Sequence, residues 1–394
     1  MNYTLSQTTA PLKRSVMRDL LALAVDPQII SLAGGLPANE LLPIQEYAAA
    51  LQTALQKHGV RALQYSPQYP PLREWIAHHM QQRGVTCTPD QIFITNGAQQ
   101  GLTILSQLFL DPGQPAVTEE IVFTGVNQVT QGRGAQMLTV PTDLSTGLDV
   151  AALEDAFKHH PRLAVVIPNF HNPLGVSLPY NSREQIAQLA ARYRVPVIED
   201  DPYATLRFEG EPLPPIKAFD EEGWVFHLGS FSKMLAPGVR LGWMVAPPEL
   251  LPRITVIREA LDLETPALTQ RAVAEYLFSG HLETHLEDLQ RVNRERCAAL
   301  LDALQTHLGS LAQWTQPTGG LFVWVALPPE MDAWEMFPRA VENKVAYIPG
   351  SAFAIHGNHR NTLRLNFSNV SPERIREGVA RLAEVIKETL RQTA

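Results

Sequence analysis

The chain has 394 residues, of which 18% are charged and 45% hydrophobic, and 32 basic against 40 acidic side chains leave a net charge of −8. That apolar share supplies a core for two or three domains and excludes a disordered chain, and an acidic balance without a basic run argues against a nucleic-acid partner. Two cysteines, Cys87 and Cys297, exclude a disulfide framework and a four-cysteine zinc site and suit a reducing, cytoplasmic setting.

The first residues do not read as a secretion signal, because Lys13, Arg14, Arg18 and Asp19 interrupt them and the apolar patch at 20–25 is short. With Gly34, Gly35 and Pro37, residues 1–45 read as an arm and a loop. From 90 to 245, short β-rich apolar runs at 91–95, 116–118, 163–168, 195–199 and 224–228 alternate with helical stretches. A helix is predicted over 101–110. Another is predicted over 182–193, with Ile186, Leu189, Ala190 and Tyr193 on one face, Ser182 and Gln185 at capping-box spacing and Pro196 beyond its end. Continuously apolar strands alternating with helices are the pattern of a mostly parallel sheet covered on both faces.

After 285 the texture changes. Leu286, Leu289, Cys297, Leu300, Leu301 and Leu304 predict a long helix, and a strand follows at 321–327 with Trp324 as core. A closing helix opens at Ser371 and Pro372 and carries Ile375, Val379, Leu382 and Ile386 on one face. This reads as a smaller α+β domain. The longest apolar stretches, such as 319–327, are about half the ~20 residues a membrane helix needs.

Ligands of open α/β sheets bind beyond the carboxyl ends of the strands, so the residues after each run are the candidates. After 91–95 come Asn96, Gly97, Ala98 and Gln99, a glycine turn opening a helix whose free N–H groups and dipole suit an anion. After 163–168 comes Asn169-Phe170-His171-Asn172-Pro173, and after 195–199 come Asp200, Asp201 and Tyr203. After 224–228 come Ser230, Ser232 and Lys233, then Arg240. Lys233 is one of seven lysines and stands among small and apolar residues that would lower its pKa. Singly, each of these fits a cap, a turn or a solvated loop.

Together and in this order they resemble the fold-type-I pyridoxal-phosphate enzymes of the class I/II aminotransferase family. The likeness runs from SLAGGLP at 31–37 to LRLN at 363–366, with GSFSKMLAPGVRLG at 229–242 its most specific stretch. The subgroup most resembled holds 2-aminoadipate, aromatic and branched-chain aminotransferases and the aminotransferase-like half of MocR-type regulators. The resemblance implies a large domain over 46–285 with a mostly parallel seven-stranded sheet, and a small α+β domain from 1–45 and 286–394. It also implies a homodimer with shared active sites.

In that likeness Lys233 would hold pyridoxal 5'-phosphate covalently and then move a proton, and Asp200 would pair with the ring nitrogen. Tyr203 and Asn172 would donate to the ring oxygen, and Phe123 would stack on the ring. Gly97, Ala98, Gln99, Ser230, Ser232 and Arg240 would hold the phosphate. Arg364 would clamp the substrate carboxylate with help from Asn172, while Gly35 and Arg18 would face the substrate. Arg18 could then meet a distal carboxylate, or merely pair with solvent or Asp19. Tyr65 would reach the partner's phosphate. Two departures lie near the cofactor. Tyr65 to Arg73 is shorter than the family pattern and lacks its glycine, and Ile121-Val122 replaces a proline before Phe123, itself usually tyrosine.

His281 and His285 flank Glu283 at helical spacing without a third metal ligand and read as an exposed pair. Gly132-Arg133-Gly134 lacks the frame of a dinucleotide fingerprint, and no GxxxxGK[ST] occurs. The implied function is transfer of an amino group between an L-amino acid and a 2-oxo acid, 2-oxoglutarate and glutamate being the favoured pair. The alternatives are another reaction on the same cofactor (β-elimination, racemisation, decarboxylation) and a cofactor-sensing regulator. The segment before residue 31 is too short for the regulator's DNA-binding part.

Overall fold

The computed structural model describes residues 3–6, 8–10, 26 and 28–393. Its strands in chain order are β1 (Ile30–Ser31), β2 (Ile92–Thr95), β3 (Pro115–Glu119), β4 (Gln136–Val140), the hairpin β5 (Thr142–Asp143) and β6 (Gly147–Leu148), β7 (Leu163–Val166) and β8 (Val197–Asp200). They continue as β9 (Val225–Ser230), β10 (Gly242–Val245), β11 (Gln313–Trp314), β12 (Phe322–Ala326), β13 (Val345–Ala346), β14 (Ile348–Pro349) and β15 (Thr362–Asn366).

Seven strands form one sheet in the order β2-β10-β9-β8-β7-β3-β4. Only β10 runs against its neighbours; the pairs β9–β8, β8–β7, β7–β3 and β3–β4 are parallel. The cause is visible in the residues. Ile-Phe-Ile-Thr in β2, Leu-Ala-Val-Val in β7 and Val-Ile-Glu-Asp in β8 are buried at every position, as strands with helices on both faces must be. This is the doubly covered α/β architecture expected from the alternation.

Element ends differ from expectation where local chemistry intervenes. The helix predicted over 182–193 begins earlier, at Tyr180, and its N-cap is Pro179 with no side-chain cap bond. Ser182 and Gln185 therefore lie inside the helix, and their capping-box spacing is unused. Instead the buried Arg183 anchors this first turn, donating to Leu178 O at 3.0 Å, Pro168 O at 2.9 Å and Asn169 Oδ1 at 2.7 Å. The helix predicted from 101 starts at Ala98, directly on the Gly97 turn. Strand β9 runs on to Ser230, so it ends immediately before the one-turn helix Phe231–Met234 that carries Lys233.

A second, antiparallel sheet has the order β11-β12-β15-β14 and packs with the helices Leu282–Leu308 and Pro372–Thr393. Ile375, Val379, Leu382 and Ile386 all face its core with Trp324 and Cys297. Strand β1 pairs in parallel with β13, which brings Ile30 and Leu32 into that same core from the other end of the chain. Among the described residues no helix is long and apolar enough to cross a membrane.

Candidate active site

The carboxyl ends of β2, β8 and β9 converge with the loop at Gly35 and with Phe322 of β12 and Arg364 of β15 around one cavity of about 290 Å³. A larger cleft of about 1070 Å³ lies elsewhere, lined in part by Arg83, Arg207 and Arg294. It offers no lysine amine, and its arginines are already engaged with Asp201, with Thr318 and with Phe208 O. The chemistry therefore belongs to the smaller cavity.

Lys233 extends into it, and its Nζ donates to Gly35 O at 2.7 Å. Burial lowers the pKa of this amine to about 8, with Arg364 and Arg240 adding repulsion. A base that is partly neutral near pH 8 suits both nucleophilic and proton-transfer work.

Asp200 closes β8 on the opposite wall, and its side chain is nearly inaccessible. Its Oδ1 is buried and has no hydrogen-bond partner among the described residues. Burial, and then the charge of Asp201, push its pKa up to about 7. Asp201 is better served. Burial pushes it up, but Arg83 at 2.5 Å, His227 and the amide of Asn169 at 2.9 Å hold it below the usual carboxylate range. Glu199, Asp201 and His227 come close enough to resemble a metal cluster. Both carboxylates are already engaged, however: Glu199 accepts from Ile216 N and Lys217 N and faces His227 Nδ1, while Asp201 takes Arg83 and Asn169. Asp200 alone is left facing the cavity with an unmet acceptor.

The third wall suits an anion. Gly97 caps the helix Ala98–Phe109 at φ +79°, and a Cβ there would lie 2.8 Å from Arg240 Nη2, so both backbone conformation and space require glycine. Arg240 donates to Asn96 O at 3.2 Å and to Ser232 Oγ at 3.4 Å, while Ser230 Oγ accepts from Ser232 N at 3.1 Å. A helix N-terminus, two hydroxyls and a guanidinium thus meet at one end of the cavity.

Arg364 lies at the other end and is buried. Its Nη1 donates to Asn172 Oδ1 at 2.8 Å, its Nη2 to Ala33 O at 2.6 Å, and its guanidinium stands 4.2 Å from the Phe322 ring centre and 4.9 Å from that of Phe353. Asn172 Nδ2 reaches Tyr203 Oη at 3.4 Å, and burial raises the Tyr203 phenol well above its ordinary range. His171, next to Asn172, sits 3.0 Å from Glu119 at the end of β3, and both are buried. The pair ties the Asn172 loop to the chain leading into Phe123.

The cavity lining thus gathers Gly35, Ala98, Gln99, Phe123, Asn172, Asp200, Tyr203, Ser230, Ser232, Lys233, Arg240 and Arg364, with Gly97 directly behind Arg240. Tyr65 does not join them: it is 74% exposed and outside the lining. Arg18 lies outside the described residues. His281 is exposed, but the reading of an exposed pair fails for His285, which is half-buried with its pKa lowered by burial. The sequence reading missed Leu36, Leu102, Ile167 and Phe322, which supply the apolar wall. No local signal marks them, since each is an ordinary core-type residue whose neighbours come from elsewhere in the chain.

A pyridine aldehyde bearing a phosphate fits this lining: the unmet Asp200 acceptor, the Lys233 amine and the anion end match its ring nitrogen, its carbonyl and its phosphate. The cavity thus has the groups of a site where a lysine amine could hold such a cofactor. Residues 27–382 match the family model of aminotransferase class I and II. The aromatic-amino-acid aminotransferase 1 of Thermococcus litoralis is 37% identical over 98% of this chain and 95% of that protein. The 2-aminoadipate transaminase of Thermus thermophilus is 40% identical over 95% of this chain and 94% of that one. The crystal structure of Pyrococcus horikoshii kynurenine aminotransferase with PMP superposes with a TM-score of 0.93 at 36% identity, over 98% of this chain and 97% of the other. The chain belongs to the class I and II aminotransferases and is a pyridoxal-phosphate-dependent aminotransferase.

Proposed function

We propose that the enzyme moves an amino group between an L-amino acid with an aromatic, branched or long acidic side chain and a 2-oxo acid, with 2-oxoglutarate and glutamate as one pair. The observation that carries this reading is Arg364, a buried cation offered to the cavity beside an apolar wall of Leu36, Phe123, Ile167 and Phe322. A guanidinium in that setting suits a carboxylate gripped by two parallel hydrogen bonds, and the wall suits a large side chain. The aromatic-amino-acid and 2-aminoadipate relatives support the same donor range.

The other roles belong to the same reading. When bound, pyridoxal phosphate supplies an electron sink for the substrate's α-carbon. Lys233 Nζ holds it and carries the proton taken from that carbon. Asp200 stays ionised against the ring nitrogen, Tyr203 and Asn172 orient the ring oxygen, and Phe123 covers the ring and excludes water. Gly97, Ala98, Gln99, Ser230, Ser232 and Arg240 keep the phosphate. A panel of amino donors with 2-oxoglutarate tests the reading. Glutamate formation is expected from tyrosine, leucine and 2-aminoadipate, with small polar donors at least about tenfold slower, as a side chain that leaves an apolar wall unfilled loses at least that much. Release of ammonia without glutamate would overturn it.

The same reading includes a homodimer in the cytoplasm, with Tyr65 reaching the partner's phosphate; Cys87 and Cys297, both free and buried, suit that compartment. Val60, Leu63, Tyr65 and Leu263 are 58–78% exposed, and Ser66 N donates to Glu264 at 3.1 Å, which joins their two segments. Apolar exposure of this kind favours a second copy. Light scattering should therefore give twice the 43.7 kDa chain mass. A monomer at micromolar concentration would remove both the dimer and the Tyr65 role.

A further inference from the structure

Asp262 is the last residue of the helix Leu251–Asp262, far from the glycine turn in sequence, yet its carboxylate meets that turn. Asp262 Oδ2 accepts from Asn96 Nδ2 at 2.6 Å and from Gln100 Nε2 at 2.7 Å, the residues that bracket Gly97, Ala98 and Gln99. Its Oδ1 takes Nε of Arg258, a buried residue whose Nη1 donates to Thr265 Oγ1 at 2.8 Å. Thr265 Oγ1 in turn donates to Ile94 O at 3.3 Å, just upstream of the turn. Within the turn, Gln100 Oε1 accepts from Asn96 N at 2.8 Å, and Asn96 O takes Arg240 Nη2 at 3.2 Å.

The amides on both sides of the turn are therefore fixed to one carboxylate. A carboxylate beside an anion site would ordinarily repel the anion. Here the Arg258 guanidinium balances it, so Asp262 can fix geometry without spoiling the local potential. Charge-assisted hydrogen bonds of 2.6–2.7 Å hold amides in place better than neutral ones. A cradle fixed in advance loses less entropy when its anion arrives.

We propose that Asp262, balanced by Arg258, is a positioning residue that holds the Asn96–Gln100 turn in its phosphate-binding conformation. The proposal rests on the reading that the cofactor phosphate sits at Gly97, Ala98, Gln99 and Arg240.

The test compares apoprotein of the native chain, Asp262→Ala, the isosteric Asp262→Asn and the control Arg240→Gln. Three quantities are measured: pyridoxal-phosphate affinity by titration, inorganic-phosphate affinity by competition, and the melting temperature of each apoprotein. Asp262→Ala is expected to weaken both affinities roughly five- to tenfold, the scale of losing a partly exposed charge-assisted hydrogen bond. Asp262→Asn should weaken them less, since it keeps one acceptor, and it carries the test if the alanine variant does not fold. A lower melting temperature with unchanged affinities would make the contact merely structural and overturn the proposal. If Arg240→Gln binds both anions like the native chain, the phosphate reading falls; if only Arg240→Gln is weakened, the clamp alone falls.

Discussion

Replacing Lys233 with alanine is expected to lower turnover by roughly 10⁴-fold, the upper end for losing a positioned acid–base group. The side chain leaves β9 through a one-turn helix and ends on Gly35 O, so its removal breaks one hydrogen bond and opens space rather than undoing a core. A small primary amine added to the variant should enter that space and restore part of the rate. Single-turnover kinetics with a donor amino acid measure both effects, and a rate within tenfold of the native enzyme would refute the assignment. The pKa of about 8, lowered mainly by burial and then by Arg364 and Arg240, adds a pH signature. The neutral amine is the nucleophile, so reconstitution of native apoprotein with the cofactor should quicken as pH rises towards 8 and level off above it.

Asparagine at position 200 is expected to push activity and stability in opposite directions. Turnover should fall roughly 10²–10³-fold, as when one preorganised electrostatic partner is removed. The apoprotein, by contrast, should become more stable at pH 8 by on the order of 4 kcal/mol. The sign follows from proton counting. Burial first, and then Asp201, raise the folded pKa of Asp200 to about 7 from an ordinary 3.8. Between those values the folded chain keeps a proton that the unfolded chain has released, so native stability falls as pH rises from about 4 to 7. Asparagine does not titrate and escapes that loss. Urea unfolding of both apoproteins at pH 4, 6 and 8 measures it, with the gap widening and then levelling off. An equal gap at pH 4 and pH 8 would show that the cause is not the Asp200 charge. This is strain kept at a site for function: the carboxylate is costly until a cation faces it.

Arg83 and His227 are part of the same design. They hold Asp201 ionised behind Asp200, and that charge helps raise the Asp200 pKa. Nothing in the Asp200-Asp201 dipeptide tells which carboxylate faces the cavity and which is paired behind it. The alternation of side chains along β8 and the approach of Arg83, which follows the helix Pro70–Gln82, separate them.

The chemistry of the site was legible where it is written in contiguous residues. Lys233 and the Gly97 turn follow apolar runs and Arg240 stands just before β10, because strand ends in an α/β sheet are where side chains leave the core. The apolar spacing that predicts the helices at 286–304 and 372 onwards also names their buried faces, since helical period and burial are the same fact. Helix starts were less legible. Ser182 and Gln185 carry a capping-box spacing, but the helix starts two residues earlier after Pro179, with Arg183 anchored to the carbonyl of Pro168 from a distant loop.

By itself, then, the sequence determined the class of fold, the order of the candidate reactive groups and the lysine proposed to hold the cofactor, because periodicity and turn chemistry act over a few residues. Only the tertiary structure decided which apolar side chains line the cavity, that Phe322 and Phe353 flank Arg364, and that Asp262 bonds to the turn beside Gly97. Those contacts join segments far apart in the chain. Their geometry is set by strand register and helix packing, which no local pattern of residues encodes.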